Sequence, residues 1–304
     1  MTGKEKNVKT LFRKIERRER QAEEYKNRLW KVSRARRIKQ RLRRLIRALR
    51  RQTDPILRTE QNLALDRQQA GDRKELYIRE EKIVVYTALY GAYDIIREPL
   101  TRPDNIDYVL LTDQEFPPKT VWKRCGREEL LPQELRKDSV LCNRWCKMHP
   151  HLLFPEYEYS VYVDANIWII SDMTPVAAGL DRYPIAMFRH KKRDCAYDEV
   201  QACIDQKKAD PASLRLHEKL LYAHGVPPKW GLLEASVIAR KHGDPRCVAL
   251  MEDWWNAFRE NSRRDQISLI DALWQSRIPP EQIGVLGSNL TRCNLFVQTG
   301  HAGK

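Results

Sequence analysis

The chain lacks the patterns that would place it in several large functional classes. It contains no G-x-x-x-x-G-K-[ST], no G-x-G-x-x-G and no G-x-S-x-G, so a P-loop, a dinucleotide fingerprint and a hydrolase nucleophile elbow have no support. Its 7 cysteines include no C-x-x-C pair. Neither a zinc ribbon nor a thioredoxin-like centre is indicated, and an odd, scattered set suits reduced thiols. No apolar run approaches the ~20 residues that span a bilayer, and the N-terminus lacks the apolar centre of a signal peptide. These absences predict a cytoplasmic protein, soluble or peripheral at the inner membrane face.

What is present begins with unevenly placed charge. The 304 residues carry a formal net charge of +15. Residues 1–52 hold 21 Lys and Arg against 5 Asp and Glu, whereas residues 53–304 hold 35 against 36. The excess therefore sits in an N-terminal arm, and the rest of the chain is electrically ordinary. Residues 8–51 contain no Pro or Gly, and Leu29, Val32, Ala35, Ile38, Leu42, Leu45, Ile46 and Leu49 recur at spacings of mostly three and four. That pattern predicts a long basic amphipathic helix. Its apolar stripe fits a coiled-coil handle for a homo-oligomer or an anionic membrane surface. Both explain the stripe better than nucleic-acid binding does. Asp54 and Pro55 end the pattern, residues 53–81 read as a polar linker, and residues 82–304 have the length of a catalytic domain.

From Lys82 onward short apolar runs alternate with longer helical patterns. Ile83–Leu89, Asp107–Thr112, Val121–Cys125, Ser160–Val163 and the start of 185–199 read as strands. Residues 138–153, 247–259 and 267–274 read as helices. This alternation predicts an α/β domain with a mostly parallel central sheet. Ligands of such sheets bind at the carboxyl ends of the strands. Asp94, Asp113 and Asp164, which follow strand-like runs, should converge there. The most informative segment is YSVYVDANIWII at 159–170, where a continuous apolar strand stops at Asp164 with Asn166 two residues on. A carboxylate so placed either forms a turn or offers hard oxygen to a cation or a ribose.

Other candidates surround this segment. Arg144, Lys147 and His151 fall at helical spacing on one face and suit a diphosphate clamp, although such a face is often only solvated. An abrupt apolar-to-cationic change at 185–193 brings in Arg193. Glu234 is either a sugar-hydroxyl acceptor or a strand-edge charge. Asp265 and Gln266 open a helix, as a cap or as cleft residues. The Leu250, Trp254 and Phe258 stripe reads as core.

Six ordered segments carry a family resemblance: YTALYGAYD (86–94), IDYVLLTD (106–113), NRWCKMHPHLLFPEYEYSVYVDANI (143–167), MFRHKKRDCAYDE (187–199), WGLLEASVIARKH (230–242) and SRRDQISL (262–269). Together they resemble the TOD/MUCI-type glycosyltransferase-like domain of bacterial polysaccharide loci and plant mucilage and pectin enzymes, over about 82–301. The resemblance implies a GT-A-like nucleotide-sugar fold. It aligns Asp164 and Asn166 with a D-x-D motif, and His301 with a late metal-shell histidine, for Mn2+ or Mg2+. It assigns Arg144, Lys147 and His151 to an Arg-x-x-Lys-x-x-x-His helix, and Arg264, Asp265 and Gln266 to an Arg-Asp-Gln motif. Asn166 departs from the pattern, since an amide is a poorer divalent-metal ligand than a carboxylate, which leaves metal dependence open. The implied function is sugar transfer from a nucleoside-diphosphate donor to a glycan or lipid-linked glycan, with Asp265, Gln266 and Glu234 as catalytic and sugar-binding candidates and Asp265 as the candidate base. A non-catalytic scaffold acting through the arm, and a metal-dependent phosphohydrolase, are the competing readings.

Overall fold

The computed structural model describes residues 82–116, 118–177, 180, 183–287, 290–293 and 295–299, all within one compact unit, Arg51–Lys304. The expectations for the arm and linker (1–81) and for His301 fall outside the described residues. No described helix is long and apolar enough to cross a membrane.

Strand β1 (Ile83–Leu89) is buried along its whole length. Val84, Tyr86 and Ala88 enter one core and Ile83, Val85 and Leu89 another, as successive side chains of a strand must when both faces are covered. With β2 (Ile106–Thr112), β3 (Lys123–Arg124), β4 (Tyr159–Val163), β6 (Ile185–Arg189), β7 (Leu233–Lys241) and β8 (Gly284–Gly287) it forms a seven-stranded sheet in the order β3-β2-β1-β4-β7-β6-β8. β1 pairs in parallel with β2 and β4, β2 with β3, and β6 with β8; β7 runs antiparallel to both neighbours. β5 (Ile167–Ile169) and β9 (Phe296–Gln298) make a small antiparallel sheet. The mixed α/β class and the mostly parallel sheet are those the sequence predicts. Because β7 is reversed, its first residues, including Glu234, reach the sheet edge where β1, β4 and β6 end.

The predicted third strand shrinks to two exposed residues. Its upstream backbone is drawn away from the ladder: the Val121 N–H donates to the Glu98 carboxylate at 3.1 Å and the Trp122 N–H to the Thr120 hydroxyl at 3.1 Å. The helix expected over 138–153 also divides. Helix α1 (Ser139–Met148) is capped by Asp138, whose carboxylate accepts from Val140 and Leu141 N–H. It stops before Pro150, which opens the short helix α2 (Pro150–Leu153). Proline has no N–H to continue the ladder and keeps the preceding residue out of the helical region; His149 accordingly adopts φ −119°, ψ 47°.

One sheet face carries α1, α4 (Ala196–Asp205), α5 (Pro211–His224), α6 (Pro245–Glu260) and α7 (Asp265–Gln275); the other carries α3 (Thr174–Ala177) and the small sheet. Pro245 at the first turn and the Asp244 side chain on Arg246 N–H start α6. Leu250, Trp254 and Phe258 are fully buried on it, as the stripe predicts. Truncating Trp254 to alanine would cost about 3–5 kcal/mol. Its indole N–H also donates to the Asp265 carbonyl at 2.9 Å, so the core helix fixes the start of α7. Arg240 on β7, wholly buried, donates to the Lys147 carbonyl at 2.7 Å and to the Tyr86 hydroxyl at 2.6 Å. A cation thereby satisfies an orphan carbonyl at the end of α1.

Candidate active site

The ends of β1, β4 and β6 and the start of β7 surround a cleft of about 520 Å³, a size suited to a small-molecule ligand. Asp94, Arg144, Asp164, Asn166, Arg193, Glu234, Asp265 and Gln266 all line it, which brings together eight residues from six separate stretches of chain.

The innermost part is a network of two carboxylates and two cations. Lys147, with no exposed side-chain surface, places Nζ 3.0 Å from Asp265 Oδ2 and 3.5 Å from Asp164 Oδ1. It lies 5.0 Å from the centre of the Tyr162 ring, a cation–π distance. Arg144 Nε stands 3.3 Å from Asp265 Oδ2. That approach is an ion pair without hydrogen-bond alignment, and the Nε–H is left without an acceptor. Burial pushes the Asp265 carboxyl upward, but Lys147, Arg144 and Arg264 outweigh it and hold the group far below the usual carboxylate range. Burial likewise opposes the Arg144 charge, and Asp265 and Asp164 more than offset it. Asp164 acts both as a turn former and as a cleft carboxylate: its carbonyl accepts from Ile167 N–H at 2.8 Å, while Oδ1 accepts the Tyr162 hydroxyl at 3.0 Å. Burial, chiefly, and the adjacent Asp164 raise that phenol well above its ordinary value.

Glu234 belongs to a different environment. Its Oε1 accepts from the Ser236 hydroxyl at 2.6 Å and from Gln266 Nε2 at 3.3 Å. These are neutral donors that orient the carboxylate without cancelling its charge. Arg193, by contrast, spends its charge inside the protein: its guanidinium pairs with the buried Glu199, Nε at 2.5 Å from Oε2, and its N–H donates to His190 Nδ1 at 3.1 Å.

Three predicted residues stand elsewhere. Asp113 does not line the cleft; its carboxylate accepts the Gly91 N–H at 3.1 and 3.2 Å and shapes the turn before Asp94. Gly91 has φ +81°, a conformation glycine reaches without a Cβ penalty. Lys147 is behind the cleft wall. His151, displaced by the break at Pro150, leaves the Arg144 and Lys147 face and sets Nε2 3.1 Å from Glu252. The cleft is also lined by Tyr93, Tyr162, Lys192, Lys208 and Gln298, which were not among the sequence candidates, and by Arg264 of the Arg-Asp-Gln motif. Lys192 lies within the segment 187–199 and Arg264 within the Arg-Asp-Gln motif, so both were legible there. Lys208 and Gln298 come from distant segments with no local signal.

The described residues do not fit a divalent cation well. Such an ion takes several hard oxygens at ~2.0–2.6 Å. Asp164 and Asn166 supply one carboxylate, one amide and a backbone carbonyl already accepting from Thr299 N–H at 2.8 Å. The formal charges of Asp164, Asp265, Lys147 and Arg144 sum to zero, so this group of four offers a cation no net negative charge. Among the described residues no group of three or more His, Cys, Asp and Glu side chains is arranged to hold a metal.

Solved structures similar to the chain include the bifunctional glycosyltransferase WbbM in its apo form, at 11% identity and a TM-score of 0.38, covering 68% of this chain and 39% of that one. Mouse xyloside xylosyltransferase 1, also apo, is similar at 12% identity and a TM-score of 0.36, covering 67% of this chain and 84% of that one. The chain thus spans well under half the length of the first. No curated protein matches it. The model of the family described as TOD1/MUCI70, glycosyltransferase-like domain, matches residues 65–301, well over half of the chain, and the chain belongs to that family.

Proposed function

We propose that the protein is a GT-A-like glycosyltransferase that moves a sugar from a nucleoside-diphosphate donor to a hydroxyl of a glycan or lipid-linked glycan. One observation carries the reading: in a chain of a glycosyltransferase-like family, a basic cleft lies at the sheet edge where nucleotides bind, with Glu234 held in it by neutral donors. In the reaction the bond from the anomeric carbon to the β-phosphate oxygen breaks, and its electron pair leaves with the diphosphate. The acceptor hydroxyl oxygen bonds to that carbon and gives up its proton. Glu234 suits the role of proton acceptor. Asp265 does not, because a carboxylate held so far below its usual range is a weak base. Asp265 acts instead by fixing Lys147 and Arg144. Asp94 and Gln266 are placed to accept from and donate to sugar or ribose hydroxyls. The basic arm, residues 1–52, with its net positive charge and apolar stripe, suits an anionic membrane surface that presents lipid-linked acceptors.

The test is steady-state transfer and donor hydrolysis over a panel of UDP-, GDP- and ADP-sugars, with Glu234→Gln as the informative variant. Turnover is expected to fall about 10²–10⁴-fold with nucleotide affinity unchanged. A Glu234→Gln enzyme with normal turnover would remove Glu234 from the reaction, and a wild-type protein inert toward every donor would favour a scaffold acting through the arm.

A further inference from the structure

We propose that this protein binds its diphosphate donor without a divalent cation, its own Lys192, Lys208 and Arg264 taking the place of the metal while Lys147 and Arg144 neutralise Asp164 and Asp265 from within. The inference rests on the nucleoside-diphosphate reading above and specifies the site that reading requires.

Three observations lead to it. The carboxylate that would hold a metal is already matched. Lys147 is wholly buried, reaches both Asp164 and Asp265, and is anchored through its backbone carbonyl by Arg240 and Tyr86. An ammonium buried beside both carboxylates would lie close to an incoming dication, and two like charges within a few ångströms of one carboxylate oppose each other.

The cleft also carries positive charge beyond that balanced set. Its lining includes Lys191, Lys192, Lys208 and Arg264, and among the described residues Lys192, Lys208 and Arg264 have no carboxylate within ion-pair distance. Lys192 follows β6, Lys208 follows α4 and Arg264 precedes α7, so the three cations approach the cleft from separate elements. A diphosphate passing between them would be contacted from several directions, as a transferring phosphate group requires when charge grows on its leaving oxygen.

Finally, Arg144 and Arg264 each line the cleft with a buried Nε–H that has no hydrogen-bond acceptor. Buried donors are nearly always satisfied, and a donor left alone calls for an explanation. A phosphate oxygen in the cleft supplies the acceptor, and arginine is the side chain whose geometry suits phosphate.

The experiment is calorimetric titration of the full chain with UDP, GDP, CDP and ADP, first in EDTA and then in manganese chloride, repeated with Lys208→Ala and Arg264→Ala. One nucleotide is expected to bind with dissociation constants that agree within about twofold in the two buffers, and each variant to weaken it by about tenfold in EDTA. Lys208 is exposed and its substitution leaves the core intact, so that variant remains informative if Arg264→Ala misfolds. Binding that appears only with manganese, or tightens by tenfold or more with it, overturns the inference and leaves the donor reading standing. Absence of binding by every nucleotide in both buffers overturns the two together.

Discussion

Arg144 and Lys147 on one side of Pro150, and His149 and His151 around it, come from a single short stretch of chain yet form two ionic clusters of opposite character. The cleft cluster pairs Arg144 and Lys147 with Asp265 and Asp164, and the shifts of Asp265 and Arg144 away from neutrality-range values keep both groups ionised over any ordinary pH. The rear cluster sets His149 Nε2 at 3.6 Å and His151 Nε2 at 3.1 Å from the half-exposed Glu252. Burial, chiefly, lowers both histidines, with Glu252 opposing it, and His149 is pushed down to about 4. Along this stretch the cations Arg144 and Lys147 pair with the cleft carboxylates, and the two histidines stand behind them at Glu252. Acid should therefore act on the rear of α1 before it reaches the chemistry.

The largest expected effect comes from breaking the cleft cluster. Lys147→Met leaves the buried Asp265 carboxylate without its nearest cation, and stranding one member of a buried pair costs about 3–5 kcal/mol. Urea denaturation at neutral pH measures this. Adding Asp265→Asn to Lys147→Met should return part of the loss, since the second change removes the stranded charge. A single-variant loss below about 1 kcal/mol would mean that water reaches the pair and that the network does not hold the site.

The rear cluster is tested by pH. His149 has a lower pKa folded than unfolded, so its contribution is complete above about pH 6.5 and is lost as pH falls toward 4, the range in which only the unfolded chain takes up the proton. Between pH 6.5 and 5 that amounts to roughly 2 kcal/mol. His242, also pushed down to about 4 by burial, adds a similar slope. His149→Phe preserves stacking on Trp145, whose ring lies 4.6 Å away, and removes one titration. The acid limb of the denaturation midpoint should become shallower. An unchanged limb would assign the acid sensitivity elsewhere.

The same break explains how far the sequence could be read. Continuous apolar runs announced the doubly covered strands, because β1 and β4 are buried on both faces, and the Leu250, Trp254 and Phe258 spacing announced the core face of α6. Asp164 and Glu234, next to strand ends, reached the cleft because strand direction puts them there, whereas Asp94 also needs the turn that Asp113 shapes at Gly91. Spacing failed at His151, since helical arithmetic holds only while the helix continues and Pro150 interrupts it. It also gave no hint that Lys147 would be turned inward and buried. Nothing local distinguishes a lysine that contacts ligand from one that neutralises two carboxylates, because its partners Asp164 and Asp265 lie 17 and 118 residues away. Asp265 read as a candidate base on sequence; Lys147, Arg144 and Arg264 hold its carboxyl below the usual range, which supports the counter-charge role proposed for it.

The smallest effect should come from Glu252, and its sign is the most discriminating. With 45% of its side chain exposed, solvent screens the pairing, so Glu252→Gln should leave stability at neutral pH nearly unchanged. Its carboxylate nevertheless favours protonated His149 and His151. Without it the folded state resists protonation more strongly while the unfolded chain is unaffected, which widens the gap between the two. The acid unfolding midpoint should then rise by roughly a few tenths of a pH unit. A midpoint that falls instead would mean that the carboxylate hinders protonation of the cluster, and the division of α1 into a charged front and a titratable rear would lose its physical basis.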